Sequence, residues 1–330
     1  MKKILYVVST ALIGGVEKLV ERLGRDLSHR YKIDVAVIGS NGSLLSNYNK
    51  IFNHVWDIWA HKCAGRINLR DIPNMLPLAN YEIIHIFNHF ALSKILAEKN
   101  VSKMVQSIHF HPDAMKTEYR EMLIENQNLF KSIIVDSKLH SYLTHYVYIP
   151  NFVDTDFWFS KDGNQNRIIW VGKFNDVKNY KLLMKIIDIT NREFIIVDGL
   201  SWLLTSKEYK KIIKRKYGNR VKIYTEVDEN VLRNLYQESS HMLITSKYEG
   251  TPLSLLEAMS CGVIPVSTPV GNIPNIIKHG KNGFIYNSCD EAINYLSYYS
   301  DKMKRKAREE MVKNFSQEEI ISKYFEVYEK

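Results

Sequence analysis

The sequence predicts an α/β protein built from two similar-sized, doubly wound halves. Three observations carry that expectation. Apolar segments alternate with amphipathic ones along the whole chain, as successive strand–helix–strand units require. The apolar segments are continuous runs, as in parallel strands covered on both faces. The alternation breaks once, at residues 148–156 and the polar patch 160–166, and then restarts, which marks a linker. A chain of 330 residues is also longer than one core usually serves.

In the first half, residues 4–8, 33–38, 83–87, 104–108 and 133–135 read as strands, with helical patterns over 16–27, 91–97 and 115–130. The second half gives strands at 168–171, 194–197, 221–224, 242–245, 263–266 and 284–286. Helices are expected over 180–189, 203–216 and 230–237, after Thr251, and near 272–278. The tail from 291 is helical, with a break near 314–316 where Ser316 and Glu319 suit a capping box. Each half opens on a strand that runs into glycine, toward Gly14–Gly15 and into Gly172. Ligands of open parallel sheets sit beyond the carboxyl ends of the strands, so two such halves predict a cleft between domains.

Composition narrows the function class. Hydrophobic residues make up 45% and aromatics 12%, which suits a globular chain with ample core. No apolar run approaches the ~20 residues of a membrane helix. The basic start and short apolar segment of residues 1–10 read as a first strand rather than a targeting signal, because the segment is β-branched and a glycine turn follows. Three cysteines, Cys63, Cys261 and Cys289, lack metal-like spacing and point to a reducing cytosol. A net charge of +9 fits an anionic substrate or an anionic membrane surface; nucleic-acid binding calls for a denser basic stripe.

The richest stretch is 248–259. A buried strand leads through Glu249 and Gly250 into a helix, with Thr251 as N-cap and Pro252 at the first helical position. Unpaired backbone N–H groups and the positive end of the helix dipole make such a corner suited to a phosphate. Glu249 precedes the turn and Glu257 lies inside the helix. A second corner, Gly14–Gly15 before Val16 and Glu17, allows close backbone approach, or is an ordinary strand-to-helix turn; the full G-x-G-x-x-G spacing is absent. Lys173 and Lys178 surround a loop beyond a strand and suit a diphosphate, or are solvated surface lysines. His109-Phe110-His111 ends a strand. A single functional histidine at that strand end is favoured over an H-x-H metal site, which lacks a third ligand, and over a buried structural histidine. Asp154-Thr155-Asp156 follows Pro150-Asn151 in the linker, where turn and capping roles are favoured over metal binding. The basic run 210–216 reads as the outer face of an amphipathic helix rather than a nucleic-acid contact. The basic segment 61–70 is a weaker candidate for an acceptor-facing or membrane-facing loop.

Taken together these pieces resemble the retaining GT-B glycosyltransferases of family 4, the group 1 glycosyltransferases. The E-x7-E pair Glu249 and Glu257 carries most of the resemblance. It continues through Ala258–Val266, Gly271-Asn272-Ile273-Pro274 and Gly280-Lys281-Asn282-Gly283-Phe284. Gly14-Gly15-Val16-Glu17, His109, Ile149–Asp154, Val171-Gly172-Lys173 and Lys178-Asn179 support it in order along nearly the whole chain. The chain departs from the family pattern at Lys173 in place of arginine, at Thr225–Glu226 in place of glycine, at the loosely matching Asp198–Ser201, and at Asn275 in place of an acid.

The resemblance implies a GT-B fold, with 1–155 as acceptor domain, 156–312 as nucleotide-sugar domain, and 313–330 as a helix crossing back to the first domain. It implies that Glu257 binds the donor ribose and Glu249 the transferred sugar. Backbone N–H groups around Gly250, Thr251, Leu253 and Ser254 would cradle the diphosphate, and Lys173 and Lys178 would offset its growing charge. Gly14 and Gly15 would close on the donor, with His109 beside sugar and acceptor. Glu249, His109, Lys173 and Lys178 are thus the expected catalytic set, with no metal and no cofactor beyond a nucleoside-diphosphate sugar, a UDP-sugar favoured. The expected acceptor is a glycan or lipid-linked hydroxyl, in polysaccharide or glycoconjugate synthesis. The expected setting is cytoplasmic, with peripheral contact at the inner membrane face and no nucleic acid. The rival expectations are a GT-B epimerase or phosphorylase, and a non-catalytic nucleotide-sugar-binding protein or partner subunit.

Overall fold

The computed structural model describes residues 1–58, 68–99, 103–160, 166–199 and 204–330. Cys63, most of the basic segment 61–70, most of the polar patch 160–166, the Leu200–Ser201 end of the loose glycine loop and the expected helix start at 203 lie outside the described residues. The chain forms two compact units, Met1–Pro150 with Ile321–Lys330, and Asn151–Ile320.

The first unit contains β1 (Lys3–Thr10), α1 (Gly15–Leu27), β2 (Lys32–Ser40), α2 (Leu45–Ile51), β3 (Val55–Asp57), α3 (Ile72–Met75), β4 (Ile83–Phe87), α4 (Phe90–Ala97), β5 (Lys103–Ile108), α5 (Thr117–Glu125), β6 (Lys131–Ile134) and β7 (Tyr146–Tyr148). Its strands pair in the order β3-β2-β1-β4-β5-β6-β7, all parallel. Continuous burial follows: every residue of β4 is buried, and Leu5, Val7, Ile84, Ile86 and Ile108 join one core. The end of the last helix completes this unit. The Tyr328 hydroxyl lies 2.6 Å from His85 Nδ1 and 3.1 Å from the Tyr6 hydroxyl, and Lys2 pairs with Glu329 at 2.6 Å.

The second unit contains β8 (Arg167–Gly172), α6 (Tyr180–Ile189), β9 (Glu193–Asp198), α7 (Leu204–Tyr217), β10 (Val221–Thr225), α8 (Glu229–Gln237), β11 (Ser239–Ile244), α9 (Leu253–Ser260), β12 (Ile264–Ser267), α10 (Ile273–Ile276), β13 (Phe284–Ile285), α11 (Cys289–Leu296), α12 (Asp301–Asn314) and the start of α13 (Gln317–Glu329). The strand order is β10-β9-β8-β11-β12-β13, again parallel. Ile169, Ile195 and Met242 point into one core, and Ile168, Ile196 and Leu243 into another, so the sheet is covered on both faces.

Several elements differ from the sequence expectation. The edge strands β3 and β7 carry no long apolar run and go unread. The helix expected over 115–130 stops at Glu125. There the Asn126 side chain donates to the Met122 carbonyl at 2.7 Å and competes with the helix ladder. The helical tail breaks twice. Besides the break at Phe315–Ser316, it breaks before Ser300, whose hydroxyl caps α12 by accepting from the Met303 N–H.

Candidate functional site

In the second sheet the strand order reverses between β8 and β11. In open α/β sheets such a reversal, at the carboxyl edge of the strands, is where ligands bind. Lys178 comes from the loop after β8 and Glu249 from the loop after β11. Lys178 Nζ donates to Glu249 Oε1 at 2.6 Å, and the Ser246 hydroxyl donates to the same oxygen at 2.6 Å. The loops are tied together along their length. The Thr245 hydroxyl donates to the Lys178 carbonyl at 2.6 Å, and the Lys247 N–H to the Val177 carbonyl at 2.8 Å. Asn179, at φ 48, takes the left-handed turn that Asn tolerates and starts α6 right after Lys178.

The helix after the second of these loops begins one residue later than expected. Pro252, at φ −71 and ψ 123, is the N-cap of α9, and Leu253 is its first residue. Thr251 does not cap. Its hydroxyl accepts from Asn272 Nδ2 at 3.0 Å, and its carbonyl accepts from Asn151 Nδ2. Tertiary partners have claimed the groups that local preference assigned to the cap. No side chain caps α9, and its first turn carries no acid, so the N–H groups of Leu253 and Ser254 head the helix with its positive dipole end. Glu257, one turn in, is 6% exposed, and its Oε2 accepts from the Tyr236 hydroxyl at 3.4 Å.

The loop after β12 braces this corner. The Asn272 N–H donates to the Gly250 carbonyl at 3.0 Å. Asn275 Nδ2 donates to Asn272 Oδ1 at 2.8 Å, which fixes the orientation of the Asn272 amide. A carboxylate at 275 would have no donor for that oxygen, so the asparagine suits this arrangement. Asn151, Ser246, Gly271 and Asn272 are supporting residues that no single motif assigned. The glycine–asparagine pair before Pro274 was the available signal.

Lys173 takes a different direction from Lys178. Its stem runs beside Gly199 at the end of β9, and a Cβ added at Gly199 would meet Lys173 Cγ at 3.9 Å. Nearby, Glu226 replaces the family's glycine yet has φ +49, so the glycine-type backbone is kept by a residue that strains in it. Asp198 is fully buried and pairs with Lys210 at 3.3 Å, so one member of the basic run turns inward. Asp154 Oδ1 accepts from the N–H groups of Asp156 and Phe157 at 3.0 and 2.9 Å, a turn cap. Among the described residues no group of three or more His, Cys, Asp or Glu side chains is placed to hold a metal ion.

In the first unit the order reverses between β1 and β4. Gly14 is the N-cap of α1 and Gly15 its first residue. The Glu17 side chain folds back over this start: a Cβ at Gly14 would lie 2.3 Å from Glu17 Oε2, and Thr10 holds Glu17 Oε1 at 2.7 Å. Gly15 has open space where a side chain would be. His109 follows β5. Its N–H donates to Asn88 Oδ1 at 2.7 Å, and its ring lies near-parallel to Phe87. His111, by contrast, is buried, and its Nδ1 accepts from the Asp113 N–H at 3.1 Å, so the two histidines do not act as a pair.

Residues 154–317 match the family model described as glycosyl transferases group 1. A curated relative, the N-acetyl-alpha-D-glucosaminyl L-malate synthase of Bacillus anthracis, is 28% identical over 204 residues, 54% of this chain and 52% of that enzyme. The chain thus aligns with about half the length of that relative. Among solved structures, Anabaena HepE in complex with UDP-glucose superposes with a TM-score of 0.82 at 16% identity, covering 100% of both chains. Sucrose-phosphate synthase from Thermosynechococcus elongatus gives 0.81 at 14%, covering 100% of this chain and 98% of that one. These likenesses show the GT-B fold over the whole chain. With the family match seated on the unit that holds Glu249 and Glu257, the chain belongs to the group 1 glycosyl transferases.

Proposed function

We propose that the protein is a retaining glycosyltransferase. It moves a sugar from a nucleoside-diphosphate sugar to a hydroxyl of a glycan or lipid-linked acceptor. The supporting observation is the Lys178–Glu249 pair at the strand-order reversal, beside the uncapped start of α9. That corner offers what a leaving diphosphate needs: N–H donors, a dipole end and an ammonium, all in place before charge develops. We assign Glu257, one turn down the helix, to the ribose, and Lys173, whose stem runs beside Gly199, as a second cation for the diphosphate. We assign the donor to the second unit and the acceptor to the first, with His109 and the Gly14–Gly15 turn contributed by the first. A UDP-sugar is the favoured donor, and HepE, of the same fold, was solved with UDP-glucose. The chemistry assigned to the lysines and the helix start needs no metal. No described helix is long and apolar enough to cross a membrane, and the net charge of +9 favours peripheral contact with an anionic surface.

The test is donor turnover. Purified protein is titrated with UDP-, GDP- and ADP-sugars, and hydrolysis and transfer are followed with and without acceptors. Binding and turnover of one donor, lost in Glu257→Ala, supports the reading. No binding of any donor, with Glu257→Ala behaving as wild type, refutes it.

A further inference from the structure

The first unit carries a cavity of about 540 Å³ that none of the donor residues uses. It lies at the carboxyl edge of the sheet, where the order reverses between β1 and β4, and it opens against Ser9, Asn88, His89, Phe110, Lys116 and Tyr119 among others. Its size falls in the range of small-molecule sites, about 300–1,000 Å³. Phe110 and Tyr119, 44% and 41% exposed, both line this one cavity. Asn88, at φ 55, sits in the left-handed region and holds the N–H of His109, so the cavity wall and His109 share one support. His89 Nδ1 accepts the Leu92 N–H at 3.3 Å, and burial lowers the proton affinity of this ring. The ring is therefore neutral, with its proton on Nε2 as a donor. No carboxylate is among the described lining residues, and Lys116 supplies their fixed charge.

We propose that this cavity holds the acceptor, and that the acceptor is a saccharide whose ring carries an anionic substituent, a carboxylate or a phosphate, set against Lys116. The inference rests on the glycosyltransfer reading above and names the substrate class for it. The exposed rings of Phe110 and Tyr119 offer C–H-rich sugar faces a flat apolar surface. The Ser9 hydroxyl and His89 Nε2–H suit ring hydroxyls. A lysine facing a lining without carboxylates selects for negative charge, because a neutral ring leaves the ammonium's strongest interaction unmade.

The experiment uses the full chain and ligand-detected NMR titrations. The probes are methyl glycosides of gluco, galacto and manno configuration, each with its uronic-acid and sugar 1-phosphate counterparts. An acidic probe should bind about tenfold tighter than its neutral partner at low salt. Lys116→Glu should remove that preference, Lys116→Arg should keep it, and UDP affinity should not change in either. Preference for the phosphate identifies a sugar-phosphate head group, and preference for the carboxylate identifies an acidic sugar. Equal binding of neutral and acidic probes, or a preference that survives Lys116→Glu, overturns the inference. If donors are turned over while acidic and neutral probes bind alike, only the acceptor class fails. If acidic probes bind through Lys116 and no donor binds, the transfer reading fails instead.

Discussion

Gly271 offers a sharp test of how the donor corner is held. Its φ is +57, and a Cβ built on it would sit 1.9 Å from the Glu249 carbonyl oxygen and 2.8 Å from that of Gly250. Gly271→Ala therefore combines two effects. The left-handed backbone costs an L-residue about 1–2 kcal/mol, and the reduced entropy of the unfolded chain returns about 0.4–1 kcal/mol. The collision is separate: the Glu249–Gly250 backbone must retreat by roughly 1 Å to restore contact distance, and a misplacement of that size costs on the order of 100-fold in rate. Gly280→Ala is the control, since its φ is +74 but nothing lies within 4 Å of the added Cβ. Gly280→Ala should lose on the order of 1 kcal/mol in denaturant titrations from the backbone effect, and Gly271→Ala about 1–3 kcal/mol more from the collision. Only Gly271→Ala should also lose about 100-fold in kcat/KM, with weakened binding of the nucleotide sugar. Wild-type donor affinity and kcat/KM in Gly271→Ala would refute the claim that this glycine sets the Glu249 position. Equal kinetic losses in both variants would assign the effect to backbone strain.

Three further outcomes follow from the geometry. Lys178→Ala should cost about 1–3 kcal/mol in denaturant titrations, because it leaves the Glu249 carboxylate, its side chain 11% exposed, without its charge partner, and should lower kcat by on the order of 100-fold in steady-state assays. Glu226→Gly should raise stability by about 0.5–1 kcal/mol in urea titrations, since glycine relieves the φ +49 backbone and loses part of the gain to unfolded-state entropy. His241 Nε2 donates to the Tyr298 carbonyl at 2.8 Å, and burial pushes its pKa down to about 4. Its contribution is present above the unfolded value near 6.5 and is lost as pH falls from there toward 4. Wild type should therefore lose about 2 kcal/mol more than His241→Gln between pH 7 and pH 5, read as the difference between their denaturation midpoints.

The buried parallel strands were legible because they are continuous apolar runs: β4 is read to the residue, and the other long strands to within three residues at either end. The edge strands β3 and β7 were not, because three residues carry too little pattern to stand out from a loop. Three of the differences have a local competitor. Asn126 diverts the end of α5, Ser300 caps a helix inside the tail, and Asn151 and Asn272 take the groups that would have made Thr251 a cap. The acidic pair and the lysines were legible as motifs through a family resemblance. Their contact was not: Lys178 and Glu249 are 71 positions apart, and only the strand order that places β8 beside β11 brings them to 2.6 Å.

That contact bears on how the proposed donor would be received. Without an anion, the Lys178 ammonium is balanced by Glu249, and Ser246 satisfies the same carboxylate oxygen. A diphosphate entering at the start of α9 competes for Lys178 with more charge and more acceptor oxygens than one carboxylate has. Glu249 then keeps Ser246 as its remaining partner from this pair and gains freedom to face the sugar. The pair is largely shielded from water, its side chains 24% and 11% exposed, so its loss is offset only as the diphosphate takes over Lys178. In the proposed reaction the exchange would couple arrival of the leaving group to release of Glu249. It also explains why the lysine and the glutamate belong on opposite sides of the strand-order reversal. A lysine on the α9 side would follow the helix start, whereas one on the β8 side would meet the proposed diphosphate from the opposite loop.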